Sequence, residues 1–395
     1  MIQQNKYKHT IAACFLGYIV QAIVNNFAPL LFLKFRNDYG IPLDQIALLV
    51  TFNFGVQLLV DLLASKYIDK IGYRVGIVGA HLFAGAGLIA LAVLPQVMPS
   101  AFTGLLIAAM IYAIGGGLLE VLVSPIVEAC PTDNKSGVMS LLHSFYCWGH
   151  VGVVILTTLF FRLFGIELWW VMALFWAVFT LANGVYFSRV PIRTLEESTD
   201  ACHMSLRQLL GTRMFWMLMV LMICAGASEQ GISQWASAFA EGALGVSKTV
   251  GDLLGPCAFA ILMGSARALY AKFSNRLPES KSLFFCAGLC VCGYLMASLS
   301  DTAVIGLLGC AICGFSVGIM WPGTFSMAAR DMPGGGTAMF ALLALAGDLG
   351  CGGGPTLVGW VSGLFGESLK AGLLCAIVFP LTMMAFLLLR RRHKA

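Results

Sequence analysis

The sequence predicts an all-α membrane protein whose twelve transmembrane helices form two pseudo-symmetric six-helix bundles. Three observations carry this expectation. Of the 395 residues, 59% are hydrophobic and only 11% are charged, with a mean hydropathy of +0.87, whereas a water-soluble domain carries about 25% charged residues. Apolar runs of roughly 18 residues or more, each long enough to cross hydrocarbon, recur about a dozen times. One clearly polar interruption, Ser188 to Arg213, containing Thr194-Leu-Glu-Glu-Ser-Thr-Asp200, divides the chain into halves.

Taken in order, the apolar runs place spans at roughly 10–33, 45–65, 75–94, 101–127, 137–161 and 167–187, then 212–239, 248–271, 282–299, 302–328, 336–362 and 370–389. The expected organisation is an N-terminal bundle over 1–190, a cytoplasmic linker over 191–211 and a C-terminal bundle over 212–395. The first run, Ile11 to Phe32, is too long for the apolar core of a signal peptide and is followed by further spans, so no cleavable signal is expected. Most of the thirteen cysteines lie in apolar runs and read as small buried residues, with no metal site expected.

Charge placement sets the orientation. With the N-terminus in the cytoplasm, most of the 24 Lys and Arg residues fall on the inner side, leaving Lys34, Arg36, Arg162, Lys248 and Lys370 outside. That bias puts both termini in the cytoplasm of a multi-pass protein of the cell (inner) membrane. It also accounts for the net charge of +5 without a nucleic-acid partner. No phosphate-cradling Gly-x-x-x-x-Gly-Lys-Ser/Thr, HExxH, GxSxG or metal-spaced His pair occurs, so neither nucleotide-driven pumping nor an enzyme is expected.

The stretch Gly115-Gly-Gly-Leu-Leu-Glu120-Val-Leu-Val-Ser124-Pro125 is the most informative. It places a carboxylate inside a span, where insertion costs roughly 2.5–3.5 kcal/mol for an Asp, and such acids usually face a bundle interior or a wet cavity. Three glycines before the acid let a neighbouring helix approach closely, and Ser124-Pro125 loosens the helix after it. Glu120 reads either as a proton-exchanging group or as a hydrogen-bonding tie between helices. The halves are weakly alike: Gly137-Val-Met139 opens the fifth span as Thr337-Ala-Met339 opens the eleventh, and Ser124-Pro125 in the fourth corresponds to Trp321-Pro322 in the tenth. Parallel six-span repeats with a binding site between them are a transporter architecture.

A second polar cluster lies in the seventh span, Ser228-Glu229-Gln230-Gly-Ile-Ser233-Gln234-Trp235. Glu229 with Ser233, and Gln230 with Gln234, are four apart and share helix faces. Amide side chains donate to and accept from hydroxyls, and Trp235 offers a flat face to a sugar's C–H surface; helix-to-helix contact is the competing role. Asn25 and Asn26, with Gln21, are further solute-contact candidates, and so are Asn53 and Gln57, again four apart. Asp61 and Arg267 sit near inner helix ends and suit a gate, Arg267 alternatively snorkelling to the interface. His143 could relay a proton, bind a hydroxyl or simply fill an interior polar role. Asp348 precedes a glycine-rich run and suits a cavity or a partner helix. Trp148 and Trp321 are packing or solute-lining residues.

The loop Ser65-Lys-Tyr-Ile-Asp69-Lys70-Ile-Gly72-Tyr-Arg74 resembles the signature loop of the major facilitator superfamily, Gly-x-x-x-Asp-Arg-x-Gly-Arg-Arg, with Ser65 for its first Gly and Tyr73 for one Arg. The resemblance implies that Asp69, Lys70 and Arg74 help close an inner gate. Asn25-Asn26, Glu120 with Ser124-Pro125, Leu141-Leu-His143-Ser-Phe145-Tyr-Cys-Trp148-Gly149 and Trp321-Pro-Gly-Thr-Phe-Ser326 resemble the fucose permease group of that superfamily over nearly the whole chain. The resemblance implies that the first, fourth, seventh and tenth spans line a cavity. Glu120, with Glu229, Asp348 and His143 as further candidates, would then exchange a coupling proton, without any other cofactor. A departure is Pro29, where the group has an Asp three residues after the Asn pair. The implied activity is proton-coupled uptake of a sugar or similar small polar solute by a monomer. The alternative is a proton-driven exporter of lipophilic cations, whose charge Glu120, Glu229 and Asp348 could pair and whose body Met and Phe could line.

Overall fold

The computed structural model describes the backbone of residues 2–131, 135–193, 204, 206–273, 278–332 and 335–394. Within these, the side chains of 2–6, 65, 66, 69, 128, 135–137, 139, 140, 206, 271–273, 336–338 and 391–394 lie outside the described set. The stretch Thr194–Asp200, much of the expected linker, the side chain of Asp69, and most of the paired openings at 137–139 and 337–339 fall there as well.

Among the described residues, twelve helices are long and apolar enough to span a membrane. They are α1 (Tyr7–Tyr39), α2 (Leu43–Ala64), α3 (Tyr73–Val97), α4 (Ala101–Val127), α5 (Leu141–Phe164), α6 (Ile166–Arg189), α7 (Arg213–Gly242), α8 (Lys248–Tyr270), α9 (Glu279–Leu299), α10 (Ala303–Asp331), α11 (Met339–Leu364) and α12 (Leu369–Arg390). No strand occurs among the described residues. Large apolar side chains such as Leu59, Val97, Val178 and Val304 stay exposed on helix flanks, as a lipid-facing surface requires.

The chain forms two compact units, Met1–Ile41 with Leu48–Glu197, and Pro42–Ala47 with Ser198–Ala395. Hydrocarbon supplies no hydrophobic drive between helices, so each unit relies on close van der Waals contact through small residues. In the first, α3 meets α4 where a Cβ on Gly87 would lie 2.3 Å from Tyr112 N. The second repeats the device between α9 and α10, where a Cβ on Gly309 would lie 2.6 Å from Gly293 O. It also joins α7 to α11, where a Cβ on Gly226 would lie 2.1 Å from Gly347 O. Only glycine allows backbones this near.

Several spans are interrupted. Pro29 sits in a 3-10 turn, Ala28–Leu31, within α1. The regular helix in α7 stops at Ser233 and resumes at Ala236. In α10 it stops at Val317 and resumes at Met320, with Pro322 in the first turn of the new segment. Each break frees carbonyls from the helical ladder.

Candidate functional site

Three helices of the first unit carry polar residues at helical spacing. Tyr18, Gln21 and Asn25 share a face of α1, Asn53, Gln57 and Asp61 a face of α2, and Glu120 and Ser124 a face of α4. Together they form a ladder. Asn25 Oδ1 accepts from Asn53 Nδ2 at 3.1 Å and from Gln57 Nε2 at 2.9 Å. Gln57 Nε2 also donates to Asn53 Oδ1 at 3.0 Å. Gln21 Nε2 donates to Gln57 Oε1 at 3.0 Å and to Glu120 Oε2 at 3.3 Å. Higher positions on α1 pair with lower ones on α2 and α4, so α1 runs antiparallel to both. The ladder is possible because Gly116 and Gly117 leave room for Gln57: Cβ atoms there would lie 3.1 Å from Gln57 Cδ and 2.9 Å from Gln57 O.

A branch leaves the ladder through Tyr18. Its hydroxyl lies 3.0 Å from Ser124 Oγ and 3.4 Å from His143 Nδ1, with the two rings 5.4 Å apart. Asn26 turns away, donating to Ala22 O at 2.9 Å and reaching Tyr146 Oη at 3.4 Å. Glu120 is half-buried and Asp61 is 9% exposed. Among the described residues neither is paired with a Lys or Arg, and the charge that acts on Asp61 is Glu120. Trp148 stands apart from this cluster. It is 53% exposed and shares a helix flank with the exposed apolar side chains Leu141, Ile155 and Leu159.

The second unit builds its cluster differently. Glu229 Oε2 lies 3.4 Å from Arg267 Nη2, and its Oε1 accepts from Gln230 Nε2 at 3.4 Å. Gln234 Nε2 donates to Gln230 Oε1 at 3.0 Å, so the four-residue spacing does place these amides together. Arg267 Nε also donates to Gly318 O at 3.2 Å, a carbonyl freed by the break in α10. Arg267 thus joins α7, α8 and α10 instead of snorkelling to an interface. Trp235 does not offer a face to a sugar: it is fully buried, donates its indole N–H to Pro355 O at 3.0 Å and abuts Gly359. Trp321 rests its ring on Gly347, where a Cβ would lie 2.2 Å from it, and the neighbouring Asp348 is buried.

The remaining expected gate residues separate. Arg74 donates to the carbonyls of Phe187, Ser188 and Val190 at 3.1, 2.7 and 2.8 Å, which caps the end of α6 within its own unit. Lys70 is exposed. Sequence reading passed over Tyr18 and gave Ser124 no contact, although Tyr18 is one turn from Gln21. It also passed over Asp252, which is fully buried and accepts from Ser237 Oγ at 2.6 Å and Lys248 Nζ at 2.8 Å. Lys248 and Asp252 are four apart, and that spacing is the signal. Cys310 and Cys313 are buried free thiols, and no metal-ligating cluster occurs among the described residues.

A family model described as Major Facilitator Superfamily matches residues 11–355. The fold is shared with the E. coli fucose:proton symporter (TM-score 0.65, 17% identity, 98% of this chain and 99% of that one). It is also shared with a bacterial homologue of the human lysosomal transporter Spinster (TM-score 0.76, 15% identity, 98% and 97%). A D-xylose–proton symporter is similar to the same extent (TM-score 0.75, 12% identity, 97% of each chain). No curated protein matches the sequence.

Proposed function

The chain belongs to the major facilitator superfamily and is a secondary transporter rather than an enzyme, and from that premise we propose that it couples proton entry to uptake of a sugar or similar small polyhydroxylated solute by alternating access. The supporting observation is the ladder of Asn25, Asn53, Gln57 and Gln21 ending on Glu120. Amides carry both donors and acceptors and suit hydroxyl groups. Among the described residues Glu120 has an amide donor but no basic partner, so its charge is free to be cancelled by a proton and restored on release. The symporters of fucose and xylose that share this fold agree in class with the reading.

The test is uptake into energised vesicles. Glu120→Gln should abolish gradient-driven accumulation of labelled monosaccharide while leaving exchange of solute across the membrane in place. Accumulation undiminished in that variant overturns the coupling role. A second reading, proton-driven export of lipophilic cations, draws on the same uncompensated acids, Glu120 and Asp61. Binding of tetraphenylphosphonium but of no monosaccharide by the purified protein would select it.

A further inference from the structure

Asp61 carries an unexplained feature. Its Oδ1 is buried with no hydrogen-bond partner, and so is Gln21 Oε1, on a side chain 4% exposed. A buried acceptor without a donor is costly and in a native fold signals a missing partner. Rotating the Gln21 amide offers no escape. Its nitrogen must face Glu120 Oε2 and Gln57 Oε1, because both are acceptors, and Gln57 Nε2 is committed to Asn25 and Asn53. With Glu120 ionised, the Gln21 oxygen therefore remains an acceptor, as does Asp61 Oδ1 while that acid is ionised.

Both orphans belong to side chains that neighbour Glu120. Gly117 lies against Gln57 O and Val60, and α2 and α4 run parallel, so one turn further on Glu120 comes beside Asp61, which feels its charge. Gln21 reaches the same carboxylate from α1. This cluster thus brings together two carboxyl groups and an amide side chain. Among the described side chains, the titratable groups that face it are Tyr18 from α1 and, through Tyr18, His143 from α5. Cys14, a turn before Tyr18, is fully buried, and His81 of α3 is engaged with Ile77 O and Asn183. None of these neighbours is a fixed cation. Two acids sharing a site cannot both stay ionised without a positive charge between them.

We propose that Asp61, Glu120 and the amide oxygen of Gln21 form one binding site for a single monovalent cation, a proton or a sodium ion, with Asp61 as a ligand of that ion and not a gate residue. One such charge would satisfy both orphaned oxygens. Oxygen-only donors suit a hard cation as they suit a proton shared between carboxyls. This assignment rests on the transport reading and adds a second acid to it.

The experiment uses the full-length protein purified in detergent, with folding checked by a single size-exclusion peak, and has two arms. One compares the unfolding temperature in sodium chloride and in choline chloride at equal ionic strength. The other records infrared difference spectra between mildly acidic and mildly alkaline buffer and follows the protonated-carboxyl stretch. A sodium-specific rise in unfolding temperature identifies sodium; a carboxyl band without that rise identifies the proton. In either case the signal should vanish in Asp61→Asn and in Glu120→Gln and persist in Asp61→Glu. Asp61→Ser serves if Asp61→Asn does not fold. A signal kept by the Asp61 variants but lost in Glu120→Gln overturns the shared site and leaves the proposed function standing. A signal kept by both sets, or absent from both arms in the unmodified protein, overturns the site and the coupling role of Glu120 together.

Discussion

Glu120 of the first unit and Glu229 of the second each end a run of amide side chains, yet among the described residues only Glu229 has a cation beside it. Arg267 supplies that cation, and the same guanidinium takes the Gly318 carbonyl. Glu120 has Gln21 as donor and a second acid, Asp61, as its neighbour. The difference separates two uses of a membrane acid. A paired acid is a structural tie, because removing either partner strands the other. An unpaired one must be neutralised by something that arrives and leaves, which is what coupling requires.

Three substitutions test that contrast, read by thermal unfolding of purified protein. Arg267→Ala has the largest expected effect, a loss of ~3–5 kcal/mol, because it leaves Glu229 buried without its counter-ion. An unfolding temperature unchanged in that variant would dissolve the distinction between the halves. Glu120→Gln should move stability by no more than about 1 kcal/mol, since the amide keeps a hydrogen-bonding partner in Gln21 and removes an uncompensated charge. A loss as large as that of Arg267→Ala would mean that a cation already serves Glu120. Trp148→Ala should change stability by less than about 0.5 kcal/mol, with solute uptake unaltered, as expected of an exposed flank. A large loss of uptake would return Trp148 to the solute path.

The polarity pattern made the spans legible in the sequence, because a helix that must cross hydrocarbon has few alternatives. Glu120, its preceding glycines and the Gln230–Gln234 pair were legible for the same local reason: cost, size and four-residue spacing all act within one helix. What periodicity cannot reveal is which face meets which partner. Arg267 finds Glu229, and Tyr18 finds His143 and Ser124, across separate helices. Trp235 looked available because its own helix is polar, while the glycine that makes room for it, Gly359, lies on α11. Its loss to packing was invisible from the seventh span alone.

The position of Arg267 has a mechanical consequence. One flat, rigid side chain fastens an acid on α7 and the loose carbonyl at the interruption in α10 to the frame of α8. A solute hydroxyl that claimed Glu229 would compete with this fastening, so loading of cargo and release of the α10 hinge would become a single event instead of two steps needing separate signals.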